Sequence, residues 1–239
     1  MASLVDLIAC RLRQNKLVLL ALLLLVVSCK KETKVVVEAE ILPFYNTAAF
    51  EAEWINKNDP QYDKIHTIAP FSLHNQLGET INNDSLKNGV YVANFFFTTC
   101  TSICPKMATN LEKLQQKYLS NKKVKLLSFS VTPWIDSIPV LQQYAVNHNV
   151  NASKWNLLTG SKEVIYSLAR KSFFAEKTLG LQKTTDEFLH TESMLLIDSK
   201  GRIRGIYNAT QVVDLERVSD DIKVLLKEKK QTQHLYQSD

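Results

Sequence analysis

The chain has 239 residues, 45% hydrophobic and 22% charged, with 6 Gly, 6 Pro and 4 Cys. That composition excludes a disordered chain, a collagen-like repeat and a disulfide-dense mini-protein, and the length suits one domain of about 150–200 residues with extensions. The formal net charge of +5 comes from basic residues scattered along the chain, so there is no basic stripe and no nucleic-acid partner is expected.

Residues 1–16 carry Arg11, Arg13 and Lys16 against a single acid, Asp6, and residues 17–27 are uninterrupted apolar residues. Eleven apolar residues fall short of the about 20 that a membrane-spanning helix needs; behind a basic stretch they read as the core of an export signal. Val26-Val27-Ser28-Cys29 then resembles the lipobox of bacterial lipoproteins, whose Cys becomes lipidated and N-terminal. On that resemblance residues 1–28 are a signal peptide and Cys29 is the lipidation site. Its acyl chains would hold an exported domain to a membrane, facing the periplasm. An uncleaved anchor with an incidental cysteine is the alternative. Cys10 would be discarded with the signal, leaving Cys100 and Cys104 in a compartment that permits disulfides. Residues 29–58 read as a tether, although Lys34-Val35-Val36-Val37 could pair as a short edge strand. A domain is expected over residues 59–230 and a polar tail over 231–239.

Residues 65–73 suggest an early strand, flanked by His66 and His74. Residues 90–97 form a continuous apolar, aromatic-rich run, the pattern of a strand buried on both faces. Cys104-Pro105 follows, then Met107, Leu111, Leu114 and Tyr118, a spacing that predicts an amphipathic helix with proline in its first turn. Residues 124–131 read as a second buried strand, 137–148 and 161–171 as helices, and 155–158 as a short strand between them. A strand over 191–198 should turn at Ser199-Lys200-Gly201 into a hairpin over 202–207. The last helix is expected over 211–229, with Val212, Leu215, Val218, Ile222 and Leu225 on one face. Strand–helix–strand–helix, then a hairpin and a final helix, implies an α/β fold: a central mixed sheet flanked by helices. That order is thioredoxin-like, and it places the loop after residues 90–97 at the carboxyl edge of the sheet, where α/β proteins put ligands.

Cys100 and Cys104 sit in that loop, in Thr98-Thr99-Cys100-Thr101-Ser102-Ile103-Cys104-Pro105. A four-residue spacing into a helix start can bring both sulfurs to one side of the turn, and the free N–H groups there favour thiolate over thiol. A thiolate is both a redox nucleophile and a soft metal ligand, so the pair has two readings. A structural disulfide is a poor third, because so small a loop gains little from closure. For a metal, two sulfurs need a further donor among His66, His74, His148, His190 and His234. His190 precedes the strand over 191–198, whose loop faces the cysteine loop in a thioredoxin fold, and is the choice on topology. Two cysteines and a histidine suit Cu(I), and Cu(II) if the geometry adjusts; structural zinc would need a fourth ligand, which is not evident.

These residues resemble the Sco family (also called SenC), copper chaperones of cytochrome c oxidase assembly. The likeness covers about residues 62–229. It includes Ile68-Ala69-Pro70-Phe71-Ser72-Leu73 with Gly78 downstream, and Phe95 through Pro105 around the two cysteines. It also includes Trp155 through Gly160, His190-Thr191 and Leu196 through Gly201. The resemblance implies that Cys100, Cys104 and His190 bind one copper ion. It also implies delivery of copper to the dinuclear site of oxidase subunit II, or reduction of that site's cysteines, with a copper donor or thiol reductant upstream. Two positions depart from the family pattern: Leu189 replaces an Asp before the histidine, and Thr132-Pro133 replaces Asp-Pro after the second long strand. The competing function is a thiol–disulfide oxidoreductase, with Cys100 attacking and Cys104 resolving. Against it, such enzymes use C-x-x-C and carry a proline before the facing strand, and residues 183–195 contain none. A peroxidase reading fails at Phe97, where that pattern requires Thr.

Overall fold

The computed structural model describes residues 41–175 and 192–235, with side chains of the last helix as far as Glu228. In chain order the elements are β1 (Ser72–His74), β2 (Thr80–Asn82), β3 (Val90–Phe96), α1 (Cys104–Lys117), β4 (Val124–Ser130), α2 (Ile138–Asn147) and β5 (Trp155–Leu158). There follow α3 (Lys162–Ser167), β6 (Ser193–Ile197), β7 (Ile203–Asn208) and α4 (Val212–Leu235). The five long strands form one sheet in the order β5-β4-β3-β6-β7. Strands β3, β4 and β5 are parallel, whereas β6 and β7 run antiparallel to their neighbours. This is the expected thioredoxin-like α/β architecture.

All seven residues of β3 are buried, because helices cover both faces. Val90, Val92 and Phe96 face a core shared with α1 and α4, built on Met107, Leu111, Leu114, Val218 and Ile222. Tyr91, Ala93 and Phe95 face the other core, with Phe129, Ile165 and Phe173. Before β3, a Cβ on Gly89 would lie 2.2 Å from the Lys123 carbonyl oxygen, so only glycine lets β3 and β4 start side by side. Gly201 closes the β6–β7 turn at φ +78°, as the Ser199-Lys200-Gly201 signal implied.

Some elements differ from expectation. Over residues 65–73 the strand is confined to Ser72–His74, which pairs with β2 and bridges Thr159 through His74, while Ile65, Ile68 and Phe71 are buried from extended loop. Apolar content there signals core contact rather than sheet pairing. Helix α3 passes into a π-helical turn at Leu168–Ser172. Val212 starts α4 and is exposed; the buried stripe begins one turn later at Leu215.

Within the stretch read as a tether, Leu42 and Phe44 are buried, and Phe44 bridges Glu53. Arg204 of β7 holds this segment: its Nε donates to the Pro43 carbonyl at 3.0 Å and its Nη2 to the Leu42 carbonyl at 2.7 Å. The same guanidinium pairs with Asp198 at 3.3 Å and Glu228 at 3.1 Å. Tyr45 N–H donates to the Ile203 carbonyl of edge strand β7 at 3.1 Å. On the opposite edge, His74 exchanges backbone bonds with Thr159, and the Gln76 amide pairs with the Trp155 carbonyl at 3.0 Å and the Leu157 N–H at 2.9 Å. The expected edge strand at residues 34–37 and the polar tail lie outside the described residues, apart from the backbone of the last helix.

Candidate functional site

Strand β3 ends at Phe96, and the chain crosses the carboxyl edge of the sheet before α1 begins at Cys104. Pro105 occupies the first turn of α1, and no side chain caps this N-terminus. The first-turn N–H groups therefore have no intrahelical partner. Cys100 takes advantage of them. Burial alone would raise its pKa, but the N–H groups of Cys104, Ser102 and Ile103, with the Cys104 thiol, outweigh it and lower the thiol below its ordinary value. Cys104 moves the other way: burial first, then its neighbours Cys100 and Asp136, push it up to about 12 despite a bond from the Phe97 backbone. The two residues are 8% and 4% exposed, and both thiols are free. The two neighbouring thiols thus shift in opposite directions, Cys100 lowered and Cys104 raised.

Around the pair, Phe96 packs on Tyr144 of α2 with ring centroids 5.2 Å apart. The Tyr144 pKa is raised by burial and, after that, by the two cysteines. Beneath the loop lies Asp136, from the turn between β4 and α2. Its carboxylate accepts from the Thr98 N–H and hydroxyl, the Ser130 hydroxyl and the Thr132 hydroxyl. Thr132, one of the two departures from the family pattern, is thus occupied as a donor to this acid. Neither Thr98 nor Asp136 stood out in the sequence. The only signal was a lone acid among apolar neighbours, Trp134-Ile135-Asp136-Ser137-Ile138.

The candidate histidines divide clearly. His66 bonds the Ser172 carbonyl at 2.9 Å and stacks on Phe174. His74 lies in strand β1. His148, at the end of α2, stacks on Tyr144 at 4.1 Å, and burial lowers its pKa against the opposing effect of Glu112. Among the described residues no group of three or more His, Cys, Asp or Glu could hold a metal ion. His190 and Cys29 lie outside the described residues, so the site seen here is the thiol pair and its support. Among the described residues no helix is long and apolar enough to cross a membrane.

The SCO1/SenC family model matches residues 59–227. A solved structure of BsSco, described as a member of the Sco family of cytochrome c oxidase assembly proteins, is 33% identical. That match covers 66% of this chain and 92% of BsSco, with a TM-score of 0.57. A SCO1/SenC family lipoprotein from Bacillus anthracis is 32% identical over 67% of this chain and 95% of its own, with a TM-score of 0.58. Arabidopsis thaliana ScoI, solved with copper bound, is 26% identical over 66% of this chain and 98% of its own, with a TM-score of 0.52.

Proposed function

Because the chain belongs to the SCO1/SenC family, we propose that it is a copper chaperone whose cargo is taken up by Cys100 and Cys104. The observation that carries this is the thiol pair at the carboxyl edge of the sheet, with one sulfur cradled by backbone N–H groups. Two soft donors fit Cu(I). Cys100 supplies the readily formed thiolate. Cys104 gives up its proton when the cargo binds, so uptake is coupled to proton release. His190 is the proposed third donor, consistent with the His66 ring being engaged with the Ser172 carbonyl. The copper bound by the Arabidopsis relative supports the cargo, and the assembly role of the BsSco relative supports the pathway. The proposed recipient is the dinuclear copper site of cytochrome c oxidase subunit II, with a copper donor or thiol reductant acting upstream. The lipoprotein relative supports a lipid anchor; the proposed form is cleavage after residue 28, lipidation of Cys29 and a domain over residues 59–230 facing the periplasm.

Cu(I) titration of the reduced protein tests this reading. Cys100→Ser, Cys104→Ser and His190→Ala should each lose tight binding; unchanged affinity in all three overturns it.

The unequal acidities of the cysteines favour a second reading, reduction of disulfides in a client protein. Cys100 Sγ would attack one sulfur of the client disulfide, expelling the other as thiolate. Cys104 Sγ would then attack Cys100 Sγ, releasing the client's second thiol and leaving a Cys100–Cys104 disulfide. Fast copper-free turnover of a disulfide substrate by His190→Ala would favour this reading over copper transfer.

A further inference from the structure

The Asp136 side chain is 0% exposed. Burying a polar group is costly unless hydrogen bonds replace its water. Here four neutral donors do so. The Thr98 hydroxyl reaches one oxygen at 2.5 Å, and the Thr98 N–H reaches the other at 3.3 Å. That second oxygen also accepts from the Ser130 hydroxyl at 2.5 Å and the Thr132 hydroxyl at 3.0 Å. Asp136 is itself fixed, since its N–H donates to the Thr132 carbonyl at 2.9 Å. Two of the four bonds therefore end on Thr98, two residues before Cys100 and just beyond the end of β3. The other two end on the last residue of β4 and on the turn that follows it. The acid ties the cysteine loop to the neighbouring parallel strand at the point where the loop leaves the sheet.

We infer that Asp136 is a positioning residue for the thiol pair: by clamping Thr98 against Ser130 and Thr132 it fixes where Cys100 stands relative to Cys104. The inference rests on the proposed function only in taking that pair as the reactive centre. Without the clamp the fold retains both cores, but the loop carrying Cys100 can shift against the start of α1, where Cys104 is held. The chemistry of the pair then changes without loss of the sheet.

The test uses the full chain with Asp136→Ala, Asp136→Asn and Thr98→Val. The equilibrium between the Cys100–Cys104 dithiol and its disulfide is measured in glutathione buffers by thiol trapping, and the unfolding midpoint is measured beside it. Asp136→Ala and Thr98→Val should shift the equilibrium constant in the same direction by about tenfold, roughly 30 mV for a two-electron couple. Asp136→Asn, whose amide can still bond Thr98, should shift it less. Cu(I) affinity should fall about 10- to 100-fold in Asp136→Ala, as for other groups that orient metal ligands. If Asp136→Ala fails to fold, Thr98→Val decides, because it removes one hydroxyl and keeps the side-chain shape. A lowered midpoint with an unchanged thiol equilibrium in Thr98→Val makes the acid merely structural and overturns the inference. If the wild type takes up no copper while the variants still shift the thiol equilibrium, the chaperone reading falls and the positioning role stands.

Discussion

Cys100 and Cys104 share one turn of chain but have opposite environments. Cys100 lies over open N–H groups at the start of α1, whereas Cys104 is turned toward the core and toward Asp136. Alkylation mapped by mass spectrometry should therefore label Cys100 first as pH rises, with Cys104 following only toward about 12. Equal labelling profiles would contradict the geometry. The effect on stability has two signs. Cys104 holds its proton more tightly folded than unfolded, so it contributes stability below the ordinary thiol value of 9.0 that is lost as pH rises toward about 12. Cys100, lowered in the fold, contributes stability above the ordinary thiol range that is lost as pH falls through its own value. Chemical denaturation of wild type and Cys104→Ser across that alkaline range should show their difference shrinking. The cysteine pair was legible in the sequence because four residues and a following proline define a local geometry. The Asp136 cluster was not, because its donors come from positions 98, 130 and 132 and meet only when β3 and β4 pair.

Long, fully buried strands and regularly spaced helix faces could be read directly, since β3, β4 and the Met107–Leu111–Leu114 stripe each satisfy one period over many residues. Short elements could not. Strands β1 and β2 have three residues each, too few for a period, and beyond each other they meet the main sheet only through the His74–Thr159 bridge. The segment around Leu42 was equally opaque, because what binds it lies about 160 positions away on β7. Arg204 there is buried among two carboxylates and two carbonyls, so removing it takes one of two arginine partners from Asp198, the guanidinium from Glu228 and both carbonyl bonds from the segment. Arg204→Ala should cost about 3–5 kcal/mol in urea denaturation. Arg204→Lys should recover little, since an ammonium cannot reproduce the guanidinium fork. A small loss in Arg204→Ala would show that Leu42 and Phe44 packing, with the Tyr45–Ile203 bond, is enough to hold the segment.

At the scale of the molecule, two cores on opposite faces of one sheet leave the carboxyl edge to carry the chemistry, as the strand order implied before any side chain was placed. The margins of the sheet were beyond sequence reasoning. The buried Gln76 side chain takes the place of a missing backbone neighbour beside β5, and Tyr45 does so in part beside β7. Gln76→Ala leaves a carbonyl and an N–H on β5 unpaired. It should cost about 1–3 kcal/mol and speed aggregation on mild heating, followed by light scattering. Unaltered scattering would mean that the β1–β2 hairpin alone shields that margin. Among the described residues, Gln76 thus closes the β5 margin against a visiting extra strand, whereas Tyr45 covers only the start of β7. On the proposed function, the rim where the sulfurs stand is the end of the sheet that a partner would meet.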